Sequence, residues 1–150
     1  MTTAETRVAL KIRSMEPEDI EPVLEIDRRI SGERRVVTYK DLMTGDLGGD
    51  LDLSCVYEDD GKVVGFVMAR RAFFGEPVVK VVLIQILGVD PDYRGKGIAT
   101  RLVDSVIERC RSKEIKIIRV MLNERDSQLQ SLFARMDFRR GQLIEYTRTL

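Results

Sequence analysis

The residues best spaced for chemistry lie between Val81 and Cys110, VVLIQILGVDPDYRGKGIATRLVDSVIERC. Arg94, Gly95, Lys96 and Gly97 crowd together where an unbroken apolar run gives way to apolar residues recurring every three or four places. A strand that turns into a helix through glycines is an anion site by its physics. The first N–H groups of a helix have no intrahelical partner and together carry a partial positive charge. Glycines let an anion approach that backbone closely, and the two cations add attraction.

Two nucleotide motifs are excluded at this elbow. A P-loop needs G-x-x-x-x-G-K-[ST], but Asp90 stands at the first glycine position and Gly97 follows the lysine. A dinucleotide fingerprint begun at Gly95 would need its third glycine at Thr100. The chain has no histidine, so no imidazole can act as general base, complete a Ser/His or Cys/His pair, or ligate a metal. Proton transfer is left to carboxylates, Tyr, Lys, Cys or water.

Elements must hold this elbow in place. Leu10–Ile12 alternates like a strand, and Ile20, Val23, Leu24, Ile26, Asp27 and Ile30 recur at helical spacing. Pro17 suits the helix start, while Pro22 implies a late start or a kink. A short helix is expected near Thr38–Thr44 and a loop at Gly45–Asp50. Leu53–Glu58 and Val63–Phe73 read as strands joined by DDGK, a hairpin turn; Gly75–Pro77 turns the chain into a third strand, Val78–Val89. After the elbow, Ile98, Leu102, Val106 and Cys110 line one helix face. Ile115–Leu122 reads as a strand and Ser127–Met136 as a helix with Leu129, Leu132, Phe133 and Met136 inward. Phe138–Leu150 alternates weakly and is expected to close the sheet as a hairpin or edge strand. Antiparallel hairpins followed by one β-α-β unit argue against a purely doubly wound fold.

The sequence VDPDYRGKGIA resembles the pyrophosphate-binding signature R/Q-x-x-G-x-G/A of the GNAT acyltransferase superfamily, with Arg94, Gly97 and Ala99 in its defined places. About thirty residues agree in order, and the elements around them follow the same order along nearly the whole chain. The resemblance implies an α/β domain of the α+β type spanning 1–150, with the first residues a flexible tail. Its mixed, mainly antiparallel sheet would have six to seven strands flanked by about four helices. It further implies that acetyl-CoA is the acyl donor, its pyrophosphate cradled by Arg94, Gly95, Lys96, Gly97, Ile98 and Ala99. The pantetheine would pair like an added strand with Leu87, Gly88 and Val89, and an N–H near Leu87 or Gly88 would polarise the thioester carbonyl.

Acetyl transfer to an amine also needs a proton for the departing thiolate. Relatives supply it from a tyrosine in a helix resembling N-x-x-A-x-x-L-Y-x-x-x-G-F. In this chain Asp126 replaces Asn, Leu129 replaces Ala, Phe133 replaces Tyr and Asp137 replaces Gly. Phe133 has no proton to give and reads as a core aromatic. Gln85 and Met121 stand where relatives often carry a basic glutamate, and neither is a base; Lys80 reads as a strand-edge charge. Tyr146, in the expected closing strand, is the first candidate acid, with Tyr93, Tyr57 and Tyr39 behind it. Glu25, Asp27, Glu58 and Asp59 are candidates for attracting a cationic amine, and equally for ordinary solvated charge.

Twenty-five basic residues balance twenty-five acidic ones, which gives no electrostatic footprint for nucleic acid. The run Val78–Val89 contains Lys80 and is too short to span a bilayer, and MTTAETRVAL lacks the apolar segment of a secretory signal. Cys55 and Cys110 suit two buried thiols in a reducing compartment. The reading is a cytoplasmic N-acetyltransferase using acetyl-CoA and an amine acceptor, without metal, nucleic acid or membrane. Its alternative is an acyl-CoA-binding module that has lost catalysis. An edge strand near Leu143–Thr149 would invite pairing into a homodimer.

Overall fold

A computed structural model describes residues 10–32 and 51–150. Five strands form one sheet in the order β1-β2-β3-β4-β5: β1 (Leu10–Ser14), β2 (Cys55–Asp59), β3 (Lys62–Phe74), β4 (Val79–Val89) and β5 (Ile118–Val120). The first four are antiparallel neighbours, and β5 runs parallel to β4. The β2–β3 hairpin turns on Asp60 and Gly61, whose φ values of 50° and 79° are both left-handed. A two-residue turn needs that conformation to match the strand twist, and an Asp-Gly pair supplies it.

Helix α1 (Ile20–Ser31) covers one face. It starts late, after a single 3-10 turn at Pro17–Asp19, which resolves the two readings of Pro22 in favour of the late start. Asp19 is buried and takes two hydrogen bonds from the Arg13 guanidinium, at 2.8 and 2.7 Å, so its charge is compensated where water is excluded. Val23, Leu24 and Ile26 pack on Met15, Val56, Phe66 and Met68. Helix α2 (Ile98–Ser112) covers the other face, placing Leu102, Val103 and Val106 against Val67, Val82 and Ile84. Gly65 allows this close approach: a Cβ there would lie 3.0 Å from the Ile98 side chain. Leu102 is fully buried, and truncating it to Ala would cost ~2–5 kcal/mol. Helix α3 (Ser127–Arg135) adds Leu132 and Phe133 to the same core, with Leu129 and Met136 packed beside them.

The class matches the sequence reading, with one correction at the C-terminal run. The described residues form five strands and three α-helices, beside the six to seven strands and about four helices expected for the whole chain; the proposed Thr38–Thr44 helix and Gly45–Asp50 loop lie outside them, as do the first residues. The 138–150 run forms no strand. Its weak alternation puts no continuous apolar face against the core, and Leu143, Ile144, Tyr146 and Leu150 are all exposed. The strand expected at Ile115–Leu122 shortens to β5; at its start the Ile115 N–H bonds the Cys110 carbonyl at the end of α2 instead of a strand.

Candidate active site

The elbow begins with Asp90, only 3 % exposed, whose carboxylate accepts the Asp92 N–H at 2.9 Å and nucleates a 3-10 turn over Pro91–Tyr93. Arg29 of α1 donates to Asp90 at 2.5 Å and to Asp92 at 3.1 Å. Beyond the turn, Gly95 and Gly97 both adopt left-handed φ, 76° and 77°. Gly97 is the N-cap of α2, and no side chain caps that helix start. Its leading N–H groups are therefore left for a ligand or solvent. A Cβ built on Gly95 or Gly97 would meet nothing within 4 Å, so the space over the helix start is open to an approaching group. Arg94 and Lys96 are exposed beside it, and the Lys96 ammonium lies 5.0 Å from the centre of the Tyr93 ring. Such a site suits a phosphate group by charge, shape and donor chemistry. Tyr93 packs against the core, consistent with support of the turn. Arg101, one turn into α2, is held by the hydroxyl of buried Tyr57 at 2.9 Å.

Next to the elbow, β4 shifts register against β3 and parts from β5 at nearly the same place. On the β3 side the register passes from Ala69↔Ile84 to Met68↔Ile86, so Gln85 is the extra residue of a β-bulge. On the β5 side pairing ends at Ile84↔Val120. The bulge also switches which residues face α2: Val82 and Ile84 do before it, Leu87 and Val89 after it, while Ile86 packs on the α1 side. The Asp90 N–H bonds the Val64 carbonyl of β3 at 2.8 Å. Alternating outward from that bond, the Gly88 amide also faces β3, and the Leu87 and Val89 amides face the open side. Of the two N–H groups named from the sequence, Leu87 faces away from β3 and Gly88 faces β3. Gly88 has a packing role instead, because a Cβ there would lie 2.7 Å from the Phe66 ring.

Between β4 and β5 the splay opens a cleft of about 290 Å³, lined by Gln85, Leu87, Val120, Leu122, Leu129 and Phe133 among others. Its walls are mostly apolar, and among the described residues no carboxylate lines it. Phe133 is 3 % exposed and meets Phe138 edge-to-face at 5.0 Å, so it serves the core while facing the cleft. Gln85 lines the cleft as well, although its buried carbonyl oxygen has no hydrogen-bond partner among the described residues.

Tyr146 is corrected as a cleft residue: it is 90 % exposed on the 138–150 run, which forms no wall within the described chain. Glu25 pairs with Arg28 and Glu58 with Arg13, which accounts for both carboxylates structurally. Asp27 is buried in α1, Lys80 is exposed on β4, and Tyr39 lies outside the described residues. Cys55 and Cys110 are free and buried, and burial pushes both thiols above their ordinary range, against a nucleophilic role. Sequence reading missed the Arg29–Asp90 contact, which joins residues 61 positions apart and leaves no local signal. The Gln85 bulge was missed as well; an uninterrupted apolar strand does not reveal where its register slips.

A family model described as Acetyltransferase (GNAT) family matches residues 20–138, which includes the elbow, the splayed strand and α3. The chain belongs to that family. An uncharacterized N-acetyltransferase of Archaeoglobus fulgidus is 30% identical over 95 residues, 63% of this chain and 65% of that protein. One from Methanocaldococcus jannaschii is 28% identical over 97 residues, 64% of this chain and 43% of that protein. The chain therefore spans less than two thirds of these relatives' lengths. Among solved GNAT structures, an aminoglycoside N-acetyltransferase in complex with CoA superposes with a TM-score of 0.76 at 16% identity, covering 93% of this chain and 94% of that one. A ribosomal-protein-alanine N-acetyltransferase from Brucella melitensis gives 0.76 at 16% identity, covering 94% and 100%. At that identity the likeness establishes the GNAT fold. Among the described residues no cluster of His, Cys, Asp or Glu is arranged to hold a metal, and no helix is long and apolar enough to cross a membrane.

Proposed function

We propose that this GNAT chain transfers an acetyl group from acetyl-CoA directly to a primary amine. The observation that carries the proposal is the adjacency of two open backbone surfaces, the uncapped start of α2 and the unpaired Leu87–Val89 side of β4. The first suits a pyrophosphate, held by N–H groups from Arg94 to Ala99 with Arg94 and Lys96 adding charge. The second suits an extended amide chain such as pantetheine, which pairs as a strand would. A thioester arriving along that edge would meet the Leu87 N–H, a fixed dipole positioned for the developing oxyanion.

The amine must attack as the neutral base. Its nitrogen forms the new bond to the acetyl carbon, the C–S bond breaks, and the amine's surplus proton passes to water. The thiolate leaves without a positioned acid, because Phe133 offers none; an ordinary thiol pKa near ~8.5 makes that departure tolerable at neutral pH. Holding both reactants in one cleft supplies the main acceleration, and proximity alone is worth ~7–11 kcal/mol in favourable cases. Two buried thiols fit a reducing cytoplasm.

Phe133, standing where the family pattern has tyrosine, also favours a second reading, an acyl-CoA-binding module without turnover. Release of free thiol from acetyl-CoA, followed across a panel of primary amines, separates the two. Amine-dependent release supports transfer. Saturable acetyl-CoA binding with no release above the buffer rate would establish the binding module instead.

A further inference from the structure

Gln85 is the one polar side chain in the run Val81–Val89, and it sits where the ladders of β4 break. It is the extra residue of the bulge against β3, and pairing with β5 ends one residue before it, at Ile84↔Val120. It is half-buried and lines the cleft between the parting strands. Its side-chain carbonyl oxygen is buried and accepts no hydrogen bond among the described residues. A buried acceptor without a donor costs stability, and an apolar residue of the same length would avoid that cost. Keeping the amide in a mostly apolar cleft points to a donor that arrives with the substrate. Counting back along β4 from the elbow, the open-side amides are those of Val89 and Leu87, and Gln85 is the next position, ~7 Å beyond Leu87 at the strand rise. An acyl donor laid along this edge, with its phosphates at the start of α2, would end its acyl group between Leu87 and Gln85.

Resting on the acetyl-transfer reading above, we propose that Gln85 binds the acceptor nitrogen. Its amide turns into the cleft it already lines, a movement that breaks no hydrogen bond of the oxygen, and the oxygen then accepts one N–H of the primary amine. A neutral amine carries two N–H groups and a lone pair. Gln85 can hold one N–H while the lone pair points at the acetyl carbon, the alignment at ~3–3.5 Å that proximity requires. The N–C bond then forms, the C–S bond breaks, and the thiolate departs with its electron pair. The surplus proton goes to water, because an amide carbonyl is no base at neutral pH. An uncharged acceptor also does not favour the ammonium form, as a carboxylate in contact would. Gln85 thus takes the amine in its reactive form and supplies orientation without proton transfer.

The test is Gln85→Met, which keeps the length of the side chain and removes the oxygen, with Gln85→Leu as a second apolar variant. Three readouts are compared with the parent: thermal melting without ligand, calorimetric titration with CoA, and steady-state transfer to the best acceptor in the panel of primary amines. The proposal expects a melting temperature unchanged or higher, because an unpartnered buried acceptor is gone. CoA affinity and the KM for acetyl-CoA should stay the same. The kcat/KM for the amine should fall about tenfold, the scale of one hydrogen bond. A lower melting temperature in both variants would overturn the proposal by giving the oxygen a structural partner. Unchanged kcat/KM for the amine would overturn it too, and so would a parallel loss of CoA affinity, which would place the oxygen on the cofactor. A parent protein that releases no thiol with any amine defeats the transfer reading and this one together, whereas failure of the variants to respond leaves transfer by the parent intact.

Discussion

Arg29, in the last turn of α1, reaches the buried carboxylate of Asp90 at 2.5 Å, and the same guanidinium holds Asp92 at 3.1 Å. The helix on one face of the sheet thereby fixes the loop that starts the helix on the other. Arg29→Met keeps the aliphatic stem and removes the donors, leaving the Asp90 charge with the Asp92 N–H. The loop should loosen, and CoA affinity should fall by roughly tenfold, the scale of one charge-assisted hydrogen bond. Calorimetric titration of parent and variant checks this. A uniform loss of stability with unchanged affinity would show that the contact serves only the fold.

Asp137 has a φ of 66°, and it follows α3 at the place where the family pattern has glycine. The Phe138 N–H closes back on the Phe133 carbonyl at 3.0 Å and the Asp137 N–H on Ala134 at 3.2 Å, a left-handed helix ending. Asp137→Gly should therefore stabilise the protein by up to ~1–2 kcal/mol, the left-handed penalty of an L-residue. Thermal melting checks the sign; a lower melting temperature would show that the Asp137 side chain contributes more than its backbone costs.

The departures and agreements between sequence and structure have physical causes. The elbow was legible because glycines and cations cluster within four residues, and the hairpin because Asp60-Gly61 can adopt only a few turn geometries. The Leu87–Val89 edge was anticipated from resemblance, yet which of its amides points outward depends on a bulge that periodicity does not encode. Tyr146 was misplaced because the alternation over 138–150 is too weak to set a core-facing side, and the run forms no strand. Nothing local in the sequence singles out Arg29, because its partner lies on a distant turn.

Phe133→Tyr places a hydroxyl on a ring that already faces the cleft. If the thiolate leaves without an acid in the parent, its rate should rise with deprotonation of the amine and show no descending limb near the tyrosine range. The substitution should raise turnover by up to ~100-fold and introduce that limb. A parent rate already high, with an acid limb and no response to the change, would show that another group donates.

Acid stability provides an independent test of the scaffold. Hydrogen bonding from Arg71 at 3.0 Å, with Lys113 at 3.2 Å, lowers the Asp52 carboxyl to about 2 against its burial. Asp19 is also lowered: burial pushes it up, but the Arg13 hydrogen bonds and the Glu16 N–H more than offset that. A folded-state value below the unfolded ~3.9 contributes stability above that pH, which is lost as pH falls toward 2. The melting temperature should decline over this window, and Asp52→Asn should flatten part of the decline. An unchanged slope in Asp52→Asn would remove that carboxylate from the account.

The most direct measurement is calorimetric titration of CoA into the parent protein and into Gly97→Glu. A Cβ at Gly97 meets nothing in the protein, so the substitution costs backbone strain of ~1–2 kcal/mol and leaves the fold standing, while its carboxylate fills the space assigned to the pyrophosphate. The account predicts saturable binding of about one CoA per chain with micromolar affinity in the parent, and none in a folded Gly97→Glu. Absence of binding to the parent at millimolar CoA, or equal binding to both proteins, would contradict the placement of acetyl-CoA on this elbow.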